Sequence, residues 1–294
     1  MLRLDYYPGC TLKTRARDLE ASAIASLSAL GVELVELPRW NCCGAVYNLS
    51  TDDLAHQLAP VRALIRARER GTGTLATLCS FCYNTLKRAN LLMRNDAEKR
   101  HALNSFMEEE PDYSGEVEVK HVLEVLRDDI GWQTIEQQVK RPLDGLRVAA
   151  YYGCTLLRPR EAAIDSVERP TVMQDLLRSL GASVVEFPFA TECCGSYQIV
   201  ANPGFVEQAV HDILSSARRA GAEALALSCP LCDYNLGRVQ RQLAAKHSDF
   251  EEVPLLYFTQ LMALALGCDA DALRLDMDRG SRESGLLASK GLLT

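Results

Sequence analysis

The 294-residue sequence contains the same cysteine pattern twice. Each copy has one cysteine, a long interval, a Cys-Cys-Gly triplet, a second long interval and a Cys-x-x-Cys pair. The two sets of five are Cys10, Cys42, Cys43, Cys79 and Cys82, followed by Cys154, Cys193, Cys194, Cys229 and Cys232. Of the eleven cysteines, Cys268 alone lies outside the pattern. A chain with this arrangement is expected to bring five thiols together in each of two related units.

The repetition extends beyond the cysteines. Three pairs of segments match in the same order along the chain. The matching segments begin at Gly9 and Gly153, at Ala29 and Ser179, and at Val117 and Val253. The period is about 150 residues, which is longer than a solenoid unit and equals the size of one domain. The chain is therefore predicted to be a duplication of one domain.

Apolar runs of strand length alternate with segments of helical period in both halves, which predicts parallel sheets flanked by helices. The predicted strands span residues 2–7, 32–37, 74–78, 146–152, 183–187 and 222–227. The predicted helices lie near residues 16–30, 52–70, 83–95, 168–180, 204–220 and 233–245. We expect an α/β fold of two tandem duplicated domains, each a small parallel sheet with its ligand site at the carboxyl ends of the strands.

A long polar stretch ends near Pro142, which marks the predicted boundary between the two units. The first cysteine-rich domain is predicted over residues 1–142 and the second over residues 143–275. The segment 276–294 contains the polar run DRGSRESG. It is predicted to be a C-terminal tail that is mobile or ordered by a partner.

Composition argues against several classes of function. The net charge of −7 lacks the basic excess that nucleic-acid-binding proteins show, so we expect no nucleic-acid partner. No apolar run approaches the roughly 20 residues of a membrane span, and the first residues show no signal-peptide pattern. We therefore expect a cytoplasmic protein. In such a reducing compartment, clustered cysteines more often bind metal or react than form disulfides.

The predicted strands place the thiols of each half at one edge of its sheet. Cys10 and Cys79 follow two strands of the first half, and the Cys-Cys-Gly triplet follows another. Loops at the carboxyl ends of parallel strands meet at the edge where α/β folds hold their ligands. Each Cys-x-x-Cys pair also opens a predicted helix, whose N-terminal N–H groups favour thiolates. The five thiols are thus expected to converge.

Three interpretations compete for the ten repeated cysteines. Structural zinc takes four ligands, commonly from two Cys-x-x-Cys pairs, whereas each half here has one such pair and three further cysteines. Chemically idle buried cysteines account for single occurrences and not for a fivefold pattern that occurs twice. Thiolates with inorganic sulfide are the usual ligands of iron in clusters. The pattern therefore favours iron–sulfur clusters.

These motifs resemble the duplicated cysteine-rich (CCG) domain of the B-type subunits of heterodisulfide reductase, over roughly residues 2–268. The resemblance implies that each motif binds a noncubane 4Fe-4S cluster through its five cysteines. Cys10, Cys42, Cys43, Cys79 and Cys82 would hold the first cluster, and Cys154, Cys193, Cys194, Cys229 and Cys232 the second. It also implies an oxidoreductase in which a disulfide of thiol cofactors is cleaved between the two clusters. Two other proteins of the same complex, a ferredoxin-like iron–sulfur protein (the C-type subunit) and a flavin-containing protein (the A-type subunit), would supply its electrons.

Two further hypotheses remain open. The first is an electron-relay or sulfur-carrier subunit, without turnover of its own, in a heterodisulfide-reductase-like sulfur-oxidising complex. The second is the cysteine-rich module of lactate, glycolate or succinate oxidising systems. Those proteins often carry ferredoxin-type cysteine runs in the same chain, and none occurs in this sequence.

Several residues near the motifs are interpreted as structural and not as catalytic. Tyrosines before the first cysteine of each motif are predicted to lie in the core, and asparagines after each Cys-x-x-Cys to hydrogen-bond nearby backbone. His121 is predicted to pack, and Cys268 to be a buried or half-buried spectator. The tyrosines and asparagines concerned are Tyr6, Tyr7, Asn84, Tyr151, Tyr152 and Asn235.

Overall fold

The computed structural model describes residues 1–45, 54–275 and 280–293, and it contains two four-stranded parallel sheets, one in each half of the chain. The strands of the first sheet are β1 (Leu2–Tyr7), β2 (Val32–Glu36), β3 (Thr74–Thr77) and β4 (Glu118–His121). Those of the second are β5 (Arg147–Tyr151), β6 (Ser183–Val185), β7 (Ala224–Leu227) and β8 (Leu255–Tyr257). The strand orders, β2-β1-β3-β4 and β6-β5-β7-β8, are equivalent. The predicted fold of two duplicated α/β domains is confirmed.

Helices connect the strands of each sheet, as parallel pairing requires. Those of the first half are α1 (Arg17–Ala29), α2 (Leu58–Arg70), α3 (Ser80–Asn95), α4 (Ala97–Phe106), α5 (Val122–Glu124) with a π-helical continuation (Val125–Ile130), and α6 (Trp132–Gln138). Those of the second half are α7 (Val172–Ser179), α8 (Gln198–Ala201), α9 (Pro203–Arg219), α10 (Pro230–Lys246), α11 (Phe258–Ala265), α12 (Ala270–Leu273) and α13 (Gly280–Ser289). Short 3-10 helices span Leu54–Gln57 and Arg160–Ala162.

The register of each sheet brings three strands to an end at the same level. In the first sheet the paired terminal residues are Tyr7, Thr77 and His121, and in the second they are Tyr151, Leu227 and Tyr257. The inner strand β7 is buried along its whole length, which explains its unbroken apolar sequence. This common carboxyl edge carries the loops that contain the cysteines.

All six predicted strands are present, but β4 and β8 were not predicted. Both are short, with four and three residues, and each continues directly into a helix, so their period-2 pattern is lost in a longer apolar segment. The predicted helices are also present. Residues 52 and 53 of the second predicted helix lie outside the described residues, and helix α2 itself begins at Leu58.

The prediction of a mobile or partner-ordered end is wrong for residues 280–293. Helix α13 packs on the second half, where Leu287 is 1% exposed. Glu283 Oε1 accepts a hydrogen bond from the backbone N–H of Leu255, 3.1 Å away, on the edge strand β8. The sequence does not predict this contact, because the group that bonds the Leu255 amide at the edge of the sheet is the carboxylate of Glu283 and not an apolar side chain.

The two halves share an interface with buried polar contacts. Helix α1 of the first half packs against α11 of the second, and Ser22 Oγ lies 2.7 Å from Thr259 Oγ1. Ser80 Oγ lies 2.9 Å from Ser228 Oγ. Ser80 is the first residue of α3 and Ser228 lies two residues before α10, so the N-termini of the two Cys-x-x-Cys helices meet at this contact. Within the described ranges, no helix is long and apolar enough to cross a membrane.

Candidate functional site

Each repeated cysteine lies at the carboxyl edge of its sheet. Cys10 follows β1 by three residues, as Cys154 follows β5. Cys79 and Cys229 follow β3 and β7 and are the N-cap residues of α3 and α10. The Cys-Cys-Gly triplets follow β2 and β6. The fold therefore brings together the thiols that the sequence spreads over some 80 residues in each half.

The thiols of the first half form a connected set, called here the first thiol series. Cys10 Sγ lies 3.9 Å from Cys42 Sγ, and Cys43 Sγ lies 3.5 Å from Cys82 Sγ. The Cys42 thiol also interacts with that of Cys43, and Cys79 with Cys82. The five side chains are thus linked in the order Cys10, Cys42, Cys43, Cys82, Cys79.

The second thiol series has the same order. Cys154 Sγ lies 3.8 Å from Cys193 Sγ. Cys193 interacts with Cys194, Cys194 with Cys232, and Cys232 with Cys229. Two halves whose intervals differ in length thus produce one side-chain arrangement. This agreement indicates that the arrangement is a property of the repeated unit.

Burial changes along each series in the same way. Cys10 and Cys42 are exposed, whereas the other three thiols of the first series are buried. In the second series Cys154 and Cys193 are half-buried, and the remaining three are buried. Each series therefore has a deep end in the core and an open end at the surface. A molecule from solvent would reach the open end.

Hydrogen bonds between thiols shift their pKa values in opposite directions. Hydrogen bonding from the thiols of Cys154 and then of Cys194 lowers the pKa of Cys193. The hydrogen bond to Cys193, followed by burial, raises the pKa of Cys154. Hydrogen bonding from the Cys232 thiol, followed by backbone N–H groups at the start of α10, lowers the pKa of Cys229. Closely spaced thiols that share protons in this way are a ready set of metal ligands, because a cation replaces those protons.

Glycine before the first cysteine lets the backbone approach the deep end of each series. A Cβ atom at Gly9 would lie 2.7 Å from Cys82 Sγ, and one at Gly153 would lie 3.1 Å from Cys232 Sγ. Both glycines also have positive φ values, of 74° and 63°. Any residue with a Cβ atom would displace the thiol and would also be strained at this positive φ, so glycine is required at both positions.

Two buried tyrosines anchor the Cys-Cys-Gly loops. The Tyr7 hydroxyl donates to the Asn41 carbonyl at 2.6 Å, and the Tyr151 hydroxyl donates to the Glu192 carbonyl at 2.8 Å. Both carbonyls immediately precede the Cys-Cys pair. The prediction that these tyrosines lie in the core is confirmed. Their hydroxyl groups also fix the position of the paired cysteines, which the sequence did not reveal.

The predicted asparagine bonds to backbone are confirmed, but the two residues act in different places. Asn235 Nδ2 donates to the carbonyls of Cys194, at 3.2 Å, and Ser196, at 2.9 Å, in its own half. Asn84 Nδ2 donates across the interface to the carbonyls of Thr155, at 2.8 Å, and Arg158, at 2.7 Å. A residue of the first half therefore holds the loop that carries Cys154.

His121 is fully buried and packs against Tyr83 and Phe258, which confirms its predicted structural role. Its Nδ1 accepts from the N–H of Leu123, so the neutral ring donates from Nε2 to the Leu78 carbonyl, 3.0 Å away. That carbonyl immediately precedes Cys79. Burial lowers the pKa of His121 to about 4, so the ring remains neutral at physiological pH.

We expect acid to destabilise the protein partly through His121. Between pH 6.5 and 4 the unfolded chain takes up a proton that the folded ring excludes, so the free energy of unfolding falls as the pH falls. The lowered pKa corresponds to a loss on the order of 3 kcal/mol at the acid limit. Denaturant titrations at about pH 7 and about pH 5 should show a smaller pH effect in His121→Gln than in the parent. Equal pH effects in the two proteins would contradict this assignment.

Cys268 is half-buried after helix α11 and joins neither series among the described residues. Its predicted role as a spectator agrees with this position. In the described ranges, no three His, Cys, Asp or Glu side chains surround a single point closely enough to hold one metal ion.

One aromatic contact of the site was not predicted. The ring of Tyr197, three residues after Cys194, packs edge-on against Phe81 of the first half, with ring centroids 5.7 Å apart and planes at 73°. Phe81 lies inside the first Cys-x-x-Cys. The sequence signal was a difference between the repeats, because Tyr197 corresponds to Val46 in the first half.

The fold and the two thiol series define a duplicated α/β protein with two thiol-rich sites. The cysteine-rich domain family, CCG, matches residues 4–87 and 148–237. The 8-methylmenaquinol:fumarate reductase membrane anchor subunit of Wolinella succinogenes is 33% identical over 273 residues, which are 92% of this chain and 94% of that protein. The B subunit of the Ferredoxin/F(420)H(2)-dependent CoB-CoM heterodisulfide reductase of Methanosarcina acetivorans is 30% identical over 282 residues, 95% of this chain and 94% of that protein.

A solved structure supports the fold. The structure of a hypothetical protein from Helicobacter pylori superimposes with a TM-score of 0.75 at 15% identity, covering 94% of this chain and 51% of the other. This chain thus spans about half the length of that protein. Given the duplicated cysteine motif and the full-length relatives, the chain belongs to the cysteine-rich CCG domain family, in the group of heterodisulfide reductase B-type subunits.

Proposed function

We propose that each thiol series holds one 4Fe-4S cluster of the noncubane type. The donor set fits such a group because it consists of thiols alone, and cysteine thiolates are the usual ligands of 4Fe-4S clusters. An ordinary cubane cluster takes four thiolates, and each series offers five. The ligands would be Cys10, Cys42, Cys43, Cys79 and Cys82 in the first site, and Cys154, Cys193, Cys194, Cys229 and Cys232 in the second.

The function that this arrangement supports best is that of the catalytic subunit of a heterodisulfide reductase-type complex, which reduces or forms a disulfide of thiol cofactors. When bound, the two clusters would supply or accept one electron each. Reduction of the disulfide R–S–S–R′ then consumes two electrons and two protons, breaks the S–S bond and releases RSH and R′SH. The reverse balance describes disulfide formation.

One observation carries this proposal. The two thiol series adjoin, because the N-termini of α3 and α10 meet at the contact between Ser80 and Ser228. Each series is also open to solvent at one end. Two adjoining one-electron groups, each of which solvent reaches at one end, suit a reaction that needs two electrons. A protein with a single site would have to retain a half-reacted sulfur radical.

The polypeptide would position the thiols of each series and exclude water from the buried ones. Tyr7 and Tyr151 fix the Cys-Cys loops from the core side, and buried apolar residues cover the deep thiols. The two helix N-termini direct free N–H groups towards the thiol-rich region, which favours negative charge on sulfur. These features hold thiolates ready as ligands and leave the exposed ends for the substrate.

Electrons must come from other proteins in this proposal. The full-length similarity to the B subunit of a ferredoxin-dependent heterodisulfide reductase supports a multisubunit complex. We infer two partners in the cytoplasm, a ferredoxin-like iron–sulfur protein of the C type and a flavin-containing protein of the A type. No nucleic-acid partner is proposed, in keeping with the acidic net charge of −7.

The proposal predicts disulfide-dependent turnover by the anaerobically purified protein. With reduced methyl viologen as the electron donor and a panel of low-molecular-weight disulfides, two thiols should appear for every two viologens oxidised. Cys43→Ser, which interrupts the first series, should abolish measurable turnover. Cys268→Ser removes a thiol outside both series and should keep the parental rate. Equal rates in these two variants would contradict the assignment of the site.

A second candidate function is an electron-relay subunit without turnover. The similarity to the Wolinella succinogenes protein favours it, because that protein is named for a menaquinol:fumarate reaction that contains no disulfide. In the same assay a relay protein would accept electrons from reduced viologen and would release no thiol from any disulfide. That outcome would replace the reductase proposal with the relay.

A further inference from the structure

Tyr197 lies where the two thiol series adjoin. It belongs to the second half, and its ring packs against Phe81 of the first half, between the two cysteines of the Cys-x-x-Cys pair. Phe81 is buried at 6% exposure, whereas Tyr197 is 39% exposed. One side of the Tyr197 ring therefore packs against the buried Phe81, and the rest of the side chain is exposed to solvent.

The backbone that carries Tyr197 is held in one conformation. Ser196 has a φ of 49°, in the left-handed region that non-glycine residues rarely adopt. Asn235, which is fully buried, donates to the Ser196 carbonyl at 2.9 Å and to that of Cys194 at 3.2 Å. This buried anchor compensates for the unfavourable backbone conformation and fixes the direction of the next side chain.

The phenol of Tyr197 differs from the hydroxyls of Tyr7 and Tyr151, the two tyrosines that anchor the Cys-Cys-Gly loops. Tyr7 and Tyr151 use theirs to bond backbone carbonyls. In the part of the chain that the structure describes, no hydrogen-bond partner is present for the Tyr197 hydroxyl. A donor without a partner at the edge of a site is available to a ligand.

Thiols of both series influence this phenol electrostatically. Burial, followed by the charges of Cys43, Cys79, Cys229 and Cys10, raises the pKa of Tyr197. Three of these cysteines belong to the first series and one to the second. The hydroxyl therefore remains protonated, as a donor, within electrostatic range of both sites.

We propose that Tyr197 donates a hydrogen bond from its phenol to a sulfur atom of the thiol or disulfide substrate, and so orients that sulfur between the two thiol series. This inference rests on the proposed function. A neutral O–H bound to an anionic sulfur makes a charge-assisted hydrogen bond, which is stronger than a neutral one. Tyr197 is in this sense a substrate-contacting residue that determines specificity for sulfur ligands.

Tyr197→Phe tests the inference because it keeps the ring contact with Phe81 and removes only the hydroxyl. The probes are 2-mercaptoethanol and cysteamine, titrated into the oxidised protein and followed by the paramagnetic resonance signal that each thiol induces. We expect about tenfold to a hundredfold weaker thiol binding in the variant, the range for loss of a hydrogen bond to a charged group. Iron content should equal that of the parent.

Tyr234→Phe is the matched control, because Tyr234 is 38% exposed and its hydroxyl pairs with Arg238 at 2.5 Å. It should bind both thiols as the parent does. Parental thiol affinity in Tyr197→Phe would overturn the role of Tyr197 while leaving the proposed function intact. A parent protein that gives no signal with either thiol would overturn the proposed function itself, and the inference with it.

Discussion

Gly9→Ala should remove the iron of the first site and leave that of the second in place. The new Cβ atom would lie 2.7 Å from Cys82 Sγ, so the backbone or the thiol must move. The positive φ of 74° adds the strain of a left-handed alanine, about 1–2 kcal/mol. Iron analysis should show a fall from about eight to about four irons per chain.

Gly71→Ala separates the clash from the backbone strain. Gly71 ends helix α2 with a φ of 80°, and a Cβ atom there would meet nothing within 4 Å. This variant carries a similar conformational cost and should retain the full iron content. Equal iron content in Gly9→Ala and in the parent would contradict the role of Cys82 as a cluster ligand in the position that the structure gives it.

Asn84→Ala should disturb the second site although Asn84 lies in the first half. Its amide bonds the carbonyls of Thr155 and Arg158, in the loop that follows Cys154. Removing a fully buried double donor leaves two carbonyls without that partner, which costs about 2–4 kcal/mol. We expect a lower free energy of unfolding in denaturant titrations and a preferential loss of iron from the second site.

Asn90→Ala provides the comparison. Asn90 lies on the same helix α3, is also buried, and bonds the Val117 carbonyl at 2.7 Å and the Tyr113 hydroxyl at 2.5 Å, both within the first half. Its loss should lower stability by a similar amount and leave the second site filled. A loss of second-site iron in both variants would attribute the effect to general destabilisation and not to the interface bond.

The sequence predicted those parts of the structure that repeat. Ten cysteines in two matching orders, with strands and helices in alternation, were enough to predict an α/β duplication with thiols at the carboxyl edges of the sheets. The short edge strands β4 and β8 escaped because each runs directly into a helix. Helix α13 escaped because the polar run at its start gave no sign of its two contacts, the Glu283 carboxylate on strand β8 and the buried side chain of Leu287.

The interface between the halves could not be predicted from the repeat, because its contacts use residues that break it. Asn84 corresponds to Tyr234, Tyr197 to Val46, and Ser80 to Pro230. A contact between two copies of one unit joins different surfaces of those copies, so the same residue types need not occur in both. The available signal for this interface was a polar or aromatic residue in one repeat where the other repeat has a different residue type, next to cysteines that match.

This interface explains why the proposed function would need two copies of the unit. A single unit would hold one thiol series with an open end. Two units joined through Ser80 and Ser228 place two such series side by side, with Tyr197 beside both. In the proposed disulfide reaction, two such sites would each exchange one of the two electrons.

The most direct test of this account is the metal and sulfide content of the anaerobically purified chain. The account predicts about eight irons per chain together with acid-labile sulfide. About two zinc ions per chain without sulfide would contradict it, because the ten cysteines would then hold structural metal and no electron could be exchanged at either site.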